Sequence, residues 1–185
     1  MTMTKKHAKS VACKIKSMLK AAIRENEEAW FKHLGHVWTD TQGRQLFSDS
    51  YRSFRINKPL DLPEFMDDIE PLIQKETKQA LKFRNIVEST FNTCERRERF
   101  QLSTPDIATL KTYTFILWDF GIGFPCANVR YLVDLLTIFP DAAFYTISPY
   151  KAIEAPIYAV SAYGDAILMP VKDDVKREEI NAQSA

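Results

Sequence analysis

Glycine is scarce in this chain, five residues in 185, and the few present neither form a phosphate-cradling loop nor flank a serine in a nucleophile elbow. Histidine is scarcer still. His7, His33 and His36 have no Cys or carboxylate partners at metal-site spacing, so no metal centre is expected. Cys13, Cys94 and Cys126 are odd in number and widely separated, which fits neither a disulfide framework nor a zinc knuckle. Reduced, buried thiols are the expectation. No uninterrupted apolar run reaches membrane-spanning length, and Lys14, Lys16 and Lys20 interrupt the only candidate for a signal-peptide core. A soluble protein of a reducing, cytoplasmic setting with no membrane partner is expected. Asp61, Asp67 and Asp68 could be arranged as a metal-binding nuclease cluster, but a charged loop accounts for them without further assumptions. These absences argue for binding rather than catalysis and for no cofactor.

Charge of one sign is lacking overall: 25 basic residues face 24 acidic ones, a formal net charge of +1. Any electrostatic function therefore depends on where the charges sit. Residues 1–24 contain no acidic residue at all. Their apolar members Val11, Ile15, Met18, Leu19, Ala22 and Ile23 recur at helical spacing, while Lys5, Lys6, Lys9, Lys16, Lys20 and Arg24 fall on a stripe roughly 100° wide away from them. One face packs and the other is positive. That stripe reads either as a phosphate-binding face or as a solvated one.

From His36 the pattern becomes strand-like. HVWTDT and RQLFSDSYRSFRI flank a turn at Gln42-Gly43 and predict two or three antiparallel strands. Prolines at 59 and 63 end that pattern, and residues 67–82 are charged with helical features. Residues 83–100 read as a strand with charged interruptions, Thr104-Pro105-Asp106 as a helix entry, and residues 107–111 as a short helix. TYTFILWDF, residues 112–120, is aromatic and β-branched and predicts a strand. In residues 126–139, Val129, Leu132, Val133 and Leu136 predict a second amphipathic helix ended by Pro140. Three strands follow, AAFYTIS, PIYAVSA and AILMPV, the last two joined by a turn at 163–165. Residues 173–185 read as a loose polar tail. Trp30, Phe31, Trp38, Phe54, Trp118, Phe120, Phe124, Phe139, Phe144 and Tyr145 are expected in the core.

The order is helix, strands, irregular middle, helix, strands. Such halves would place both helices on one side of a curved sheet.

FSDSYRSF, residues 47–54, resembles the Ala-Thr-Asp-Gly-His/Tyr-Arg-Leu segment of the bacterial DNA polymerase III sliding clamp, the β subunit that tethers polymerase to its template. Ser48, Asp49, Tyr51 and Arg52 match in place; Ser50 and Ser53 replace glycine and leucine. NVRYLVDLL (128–136) followed by GDAILMPVK (164–172) resembles the last helix and terminal Met-Pro strand of that family, in order and spacing. Leu62-Pro63 and DIEPLIQKE (68–76) resemble its interdomain segment.

The resemblance implies an α+β, DNA-clamp-like fold in which two helix-plus-antiparallel-strand units form one domain over residues 1–172. It implies a non-catalytic processivity or adaptor factor of DNA replication. Double-stranded DNA would be held without sequence preference by Lys9, Lys16, Lys20 and Arg24, since sliding needs exchangeable phosphate contacts. Asp49, Tyr51, Arg52, Met169 and Pro170 would line a pocket for short peptides of a DNA polymerase or other clamp-binding proteins. One domain's length implies a homo-oligomer if a ring forms. The competing expectation is an interaction or regulatory module with clamp architecture and no nucleic-acid role.

Overall fold

The computed structural model describes residues 3–25, 36–49, 51–57, 78–121, 124–147 and 155–171. The fold is α+β. Helix α1 (Lys5–Glu25) is followed by strands β1 (His36–Thr39), β2 (Gln45–Ser48) and β3 (Arg52–Ile56), then helix α2 (Lys78–Arg96). The short strand β4 (Phe100–Gln101) precedes helix α3 (Ile107–Thr112), strands β5 (Leu117–Asp119) and β6 (Cys126–Asn128), and helix α4 (Val129–Ile138). Strands β7 (Ala143–Thr146), β8 (Ile157–Ser161) and β9 (Gly164–Leu168) close the described chain. Among the described residues, seven strands form one antiparallel sheet in the order β1-β2-β3-β9-β8-β7-β4, and β5 and β6 form a separate two-stranded sheet.

Strand alternation divides the core into two layers. Val37, Phe47, Phe54, Phe144, Ile157, Ala159, Ala166 and Leu168 share one core with Val11, Ile15, Met18 and Leu19 of α1 and with Leu132, Leu135 and Leu136 of α4. The alternate positions Trp38, Leu46, Tyr158 and Ile167 pack against Val87, Phe91 and Cys94 of α2. Both amphipathic helices expected from the sequence thus lie on the same sheet face, while α2 covers the other.

Hairpin β1–β2 turns where Gln42-Gly43 was expected. The Asp40 carboxylate accepts the amides of Gln42 and Arg44, both at 2.9 Å, and Gly43 takes the left-handed φ of +75° that such a turn requires. Burial alone would raise the Asp40 pKa, but these bonds and the Arg44 guanidinium outweigh it and hold it below the ordinary carboxylate value. Asp106 caps α3, accepting the Thr109 amide at 2.9 Å, as its position after Thr104-Pro105 implied.

Three segments depart from the sequence expectations. Residues 83–96 are helical, not extended: Phe83, Val87, Phe91 and Cys94 form one apolar stripe of α2, and the sheet supplies a partner that a strand at this place would lack. Residues 112–120 contain only the three-residue strand β5, because α3 runs to Thr112 and the aromatic residues just beyond it face outward. Helix α4 begins at Val129 and not at Cys126. Asn128 caps it by accepting the Arg130 amide at 2.9 Å, and residues 126–128 pair with β5.

The last hairpin turns at 162–163, one residue earlier than expected, so Gly164 already belongs to β9. Of the expected core aromatics, Trp38, Phe54, Phe120, Phe139 and Phe144 are buried, while Trp118, Phe124 and Tyr145 are half-buried. Trp30, Phe31, the 58–77 segment and the 173–185 tail lie outside the described residues.

The thiols divide by environment. Cys94 and Cys126 are buried, but Cys13 is exposed on α1, because position 13 falls off the apolar stripe. Burial pushes the Cys94 thiol up to about 11, Asp165 adds to the rise, and Arg55 opposes it. Iodoacetamide at pH 8 should therefore alkylate Cys13 rapidly in the native protein and spare Cys94 and Cys126 until denaturant is added. Peptide mass mapping checks this.

Gly164 has φ +156°, and a Cβ there would stand 2.1 Å from the Arg55 carbonyl oxygen on the neighbouring strand. Gly164→Ala must push β9 away from β3 at the centre of the sheet. A loss of about 2–4 kcal/mol in urea unfolding is expected, against a change within about 0.5 kcal/mol for an exposed control such as Ser17→Ala.

Candidate functional site: a cationic helix face and the adjoining turn

Helix α1 exposes Lys5, Lys6, Lys9 and Lys20 to solvent, and its single acidic residue is Glu25, at its last position. The arrangement does not favour the helix itself. Lys5 and Lys6 occupy the first turn, where the positive end of the helix dipole repels cations. Dipole and side chains therefore add to the same positive potential. Lys14, on the flank that meets α4, differs from its neighbours, because its Nζ bonds the Asp134 carboxylate at 2.7 Å. Of the expected phosphate-binding residues, Lys9 and Lys20 are exposed and Lys16 is half-buried. Arg24 belongs to α1, but its side chain lies outside the described residues. Arg130 is exposed in the first turn of α4.

The turn between β2 and β3 is built around Asp49 and Arg52. Asp49 accepts the backbone amides of Tyr51 at 3.1 Å and Arg52 at 2.7 Å, and the Arg52 Nε at 2.8 Å. The Arg52 guanidinium donates again to Asp49 and, with its other terminal nitrogen, to Asp134 on α4. All three residues are buried. Two carboxylates and two cations, Asp49 and Asp134 with Arg52 and Lys14, thus form a charge-balanced chain from the turn through α4 to α1. One turn apart on α4, Arg130 faces solvent and Asp134 turns inward.

Tyr51 projects from this turn, 51% exposed, its ring stacked on Tyr131 of α4 at 6.0 Å. Arg52 lies over the Tyr131 ring at 4.2 Å. Asp49, Tyr51, Arg52, Asn128, Arg130, Tyr131 and Ala21 line a small cleft of about 100 Å³ where α1, α4 and the turn meet. Met169 joins the turn through its backbone, its amide donating to the Tyr51 carbonyl at 2.9 Å, and its side chain is 46% exposed. Neither Met169 nor Pro170 lines the cleft. The five residues expected to form a peptide pocket therefore divide into a buried ionic pair, Asp49 and Arg52, and a surface ledge of Tyr51 and Met169, with Pro170 next to Met169 and half-buried.

Sequence reasoning missed Lys14, Asp134 and Tyr131 as partners of this turn. A legible signal was present: an aspartate set among Leu132, Val133, Leu135 and Leu136 needs a buried cation.

A second ionic cluster lies on the opposite sheet face. Arg55 and Asp165, cross-strand neighbours in β3 and β9, pair through two nitrogens, and Glu95 of α2 bonds the same guanidinium. The Tyr158 hydroxyl donates to Asp165 at 2.6 Å. Burial and the Asp165 charge hold that phenol far above its ordinary value. Desolvation alone would lower Arg55, but Asp165 and Glu95 outweigh it and raise it. This cluster fastens α2 to the sheet.

Among the described residues no group of three or more His, Cys, Asp or Glu side chains is placed to hold a metal ion, and no described helix is long and apolar enough to cross a membrane. No family model, no curated protein and no solved structure matches the chain.

Removing Arg52 leaves Asp49 and Asp134 buried without their shared partner. Arg52→Leu should lower stability by about 3–5 kcal/mol. Arg52→Lys, which keeps the charge but loses the planar fork, should fall between it and wild type. Urea melts of both variants test this; equal stability of Arg52→Leu and wild type would show that the network contributes nothing net.

Proposed function

We propose that this chain is a clamp-like, non-catalytic protein that holds duplex DNA through the α1 face without reading its sequence. One observation carries the reading: four lysines of one helix, Lys5, Lys6, Lys9 and Lys20, are exposed on a face whose neighbouring carboxylate, Asp134, is buried and already paired. Lysines on flexible stems suit exchangeable phosphate contacts, because each is a point charge without the geometric demand of a bidentate pair. Two helices side by side on one face of an antiparallel sheet, together with the order of FSDSYRSF, NVRYLVDLL and GDAILMPVK along the chain, support clamp architecture.

Two versions of this function differ in assembly. A processivity factor would close a ring from several copies of the chain, while an adaptor would act as a monomer or dimer through short peptides of replication proteins. The ledge of Tyr51 and Met169 supports peptide docking, since an aromatic and a methionine side chain offer adaptable apolar contact. A role in DNA replication follows from the resemblance in either version.

Fluorescence anisotropy with a blunt duplex at two or more salt concentrations tests the DNA face, and light scattering on the same sample reads the assembly. Binding should weaken steeply with salt, with a log–log slope of about −0.9 per phosphate contacted. The double variant Lys9→Glu/Lys20→Glu should abolish binding at moderate salt while leaving the unfolding midpoint unchanged. Undiminished binding by that variant would overturn the reading. A mass of several chains assigns the ring, and a monomer or dimer assigns the adaptor.

A further inference from the structure

The aromatic segment that follows α3 is turned outward. Phe115 and Ile116 are 70% and 75% exposed, and Tyr113 is 37% exposed. These side chains are not scattered singly over the surface. The Tyr113 ring meets those of Phe115 at 5.5 Å and Trp118 at 5.3 Å, both tilted, so Trp118 backs Tyr113 and Phe115 leans on it from outside. A contiguous exposed aromatic group of this kind marks a binding surface.

Its position specifies the partner. The Ile116 carbonyl accepts the Val129 amide at 2.9 Å, which fixes the aromatic segment to the first turn of α4, where Arg130 is exposed. Arg130 in turn lines the same cleft as Ala21 of α1, the residue after exposed Lys20. Lys111, exposed at the end of α3, lies on the other side of the aromatic group in sequence. Cations therefore adjoin the aromatic segment, Arg130 through the first turn of α4 and Lys111 two residues before Tyr113. The nearest carboxylate in sequence, Asp119, accepts the Gly121 amide at 2.6 Å.

We propose that Phe115 and Tyr113 form a stacking platform for unpaired nucleobases at the end of the helical face, with Arg130 and Lys111 holding the adjoining phosphates. Alternating aromatic and cationic groups bind single strands in a sequence-tolerant way, since every base offers a π-face and every linkage a charge. A duplex cannot use the rings, because its bases are already stacked. The protein would thus favour a duplex that carries a single-stranded tail over the same duplex with blunt ends. The preference rests on the reading of α1 as a DNA face, but the platform itself does not.

The test compares three probes by anisotropy at one salt concentration: a blunt duplex, the same duplex with an oligothymidine tail, and the tail alone. The tail should tighten duplex binding about tenfold or more. Phe115→Ala and Tyr113→Ala should each remove most of that gain and leave blunt-duplex affinity and the unfolding midpoint unchanged, since neither ring fills the core. Blunt binding without a tail gain, or a gain that survives both substitutions, overturns the platform and leaves the proposed DNA face standing. Tail binding through Phe115 with no duplex binding supports the platform and overturns the duplex reading. If Phe115→Ala instead lowers the native mass and leaves tail binding intact, the patch is a contact between copies and the platform is overturned.

Discussion

The Arg52 guanidinium is the joint on which the helical face depends. It lies between Asp49, which shapes the turn into β3, and Asp134, which belongs to α4, and Lys14 extends the chain of charges to α1. The hydrophobic effect decides which faces are buried but is non-directional. A buried guanidinium with two carboxylate partners tolerates little displacement, since any shift that breaks one pair leaves a charge unpaired. Val11, Ile15 and Leu19 seat α1 in the core, and the Lys14–Asp134 pair links the helix to this chain of charges.

Strand β3 extends the same logic to both sides of the sheet. Arg52 and Arg55 are three residues apart, an odd spacing that sends them to opposite faces. Arg52 meets the α4 carboxylate on one face, and Arg55 meets Asp165 and the α2 carboxylate Glu95 on the other. One strand thus indexes both helical layers. Gly164, opposite Ile56 in register, lets β9 approach closely enough for Asp165 to sit beside Arg55. The backbone approach and the ion pair are two parts of one arrangement, because a side chain at 164 would widen the strand spacing on which the pair depends.

Periodicity made α1 and most of α4 legible, while apolar and β-branched runs between turn residues marked the β1–β2 hairpin and the last three strands, although β2 and β9 are buried at every position. It failed where the apolar residues are not all buried. TYTFILWDF has the composition of a core strand, yet its first half is surface, and composition cannot distinguish an aromatic residue that packs from one that is presented. Residues 83–96 failed for the opposite reason: β-branched and aromatic residues at Ile86, Val87 and Phe91 mimic a strand, while the stripe linking Phe83, Val87, Phe91 and Cys94 is helical and is satisfied only by the far face of the sheet. Within the candidate site, Lys9, Lys20, Asp49, Tyr51 and Arg52 could be read as polar residues in telling places. Their division into exposed and buried could not, because it depends on Asp134 arriving from a helix 82 positions away in sequence from Arg52.

A chain of net charge +1 can still carry a locally positive helix face, because its acids and bases are unevenly placed. Asp49 and Asp134 are buried with Arg52, Asp165 with Arg55, and Asp40 is held against Arg44. Buried guanidinium groups require carboxylates as neighbours, so several acids of the sequence are committed to the interior, where their fields are cancelled at close range. What reaches solvent from α1 is the uncompensated remainder: lysines whose nearest buried carboxylate is already saturated. Total charge is then a poor guide to the surface. A count of acids and bases treats Asp134 and Lys9 as offsetting each other, whereas Asp134 lies within hydrogen-bonding distance of Arg52 and Lys14 and leaves the field of Lys9 to act on whatever approaches the helix from outside.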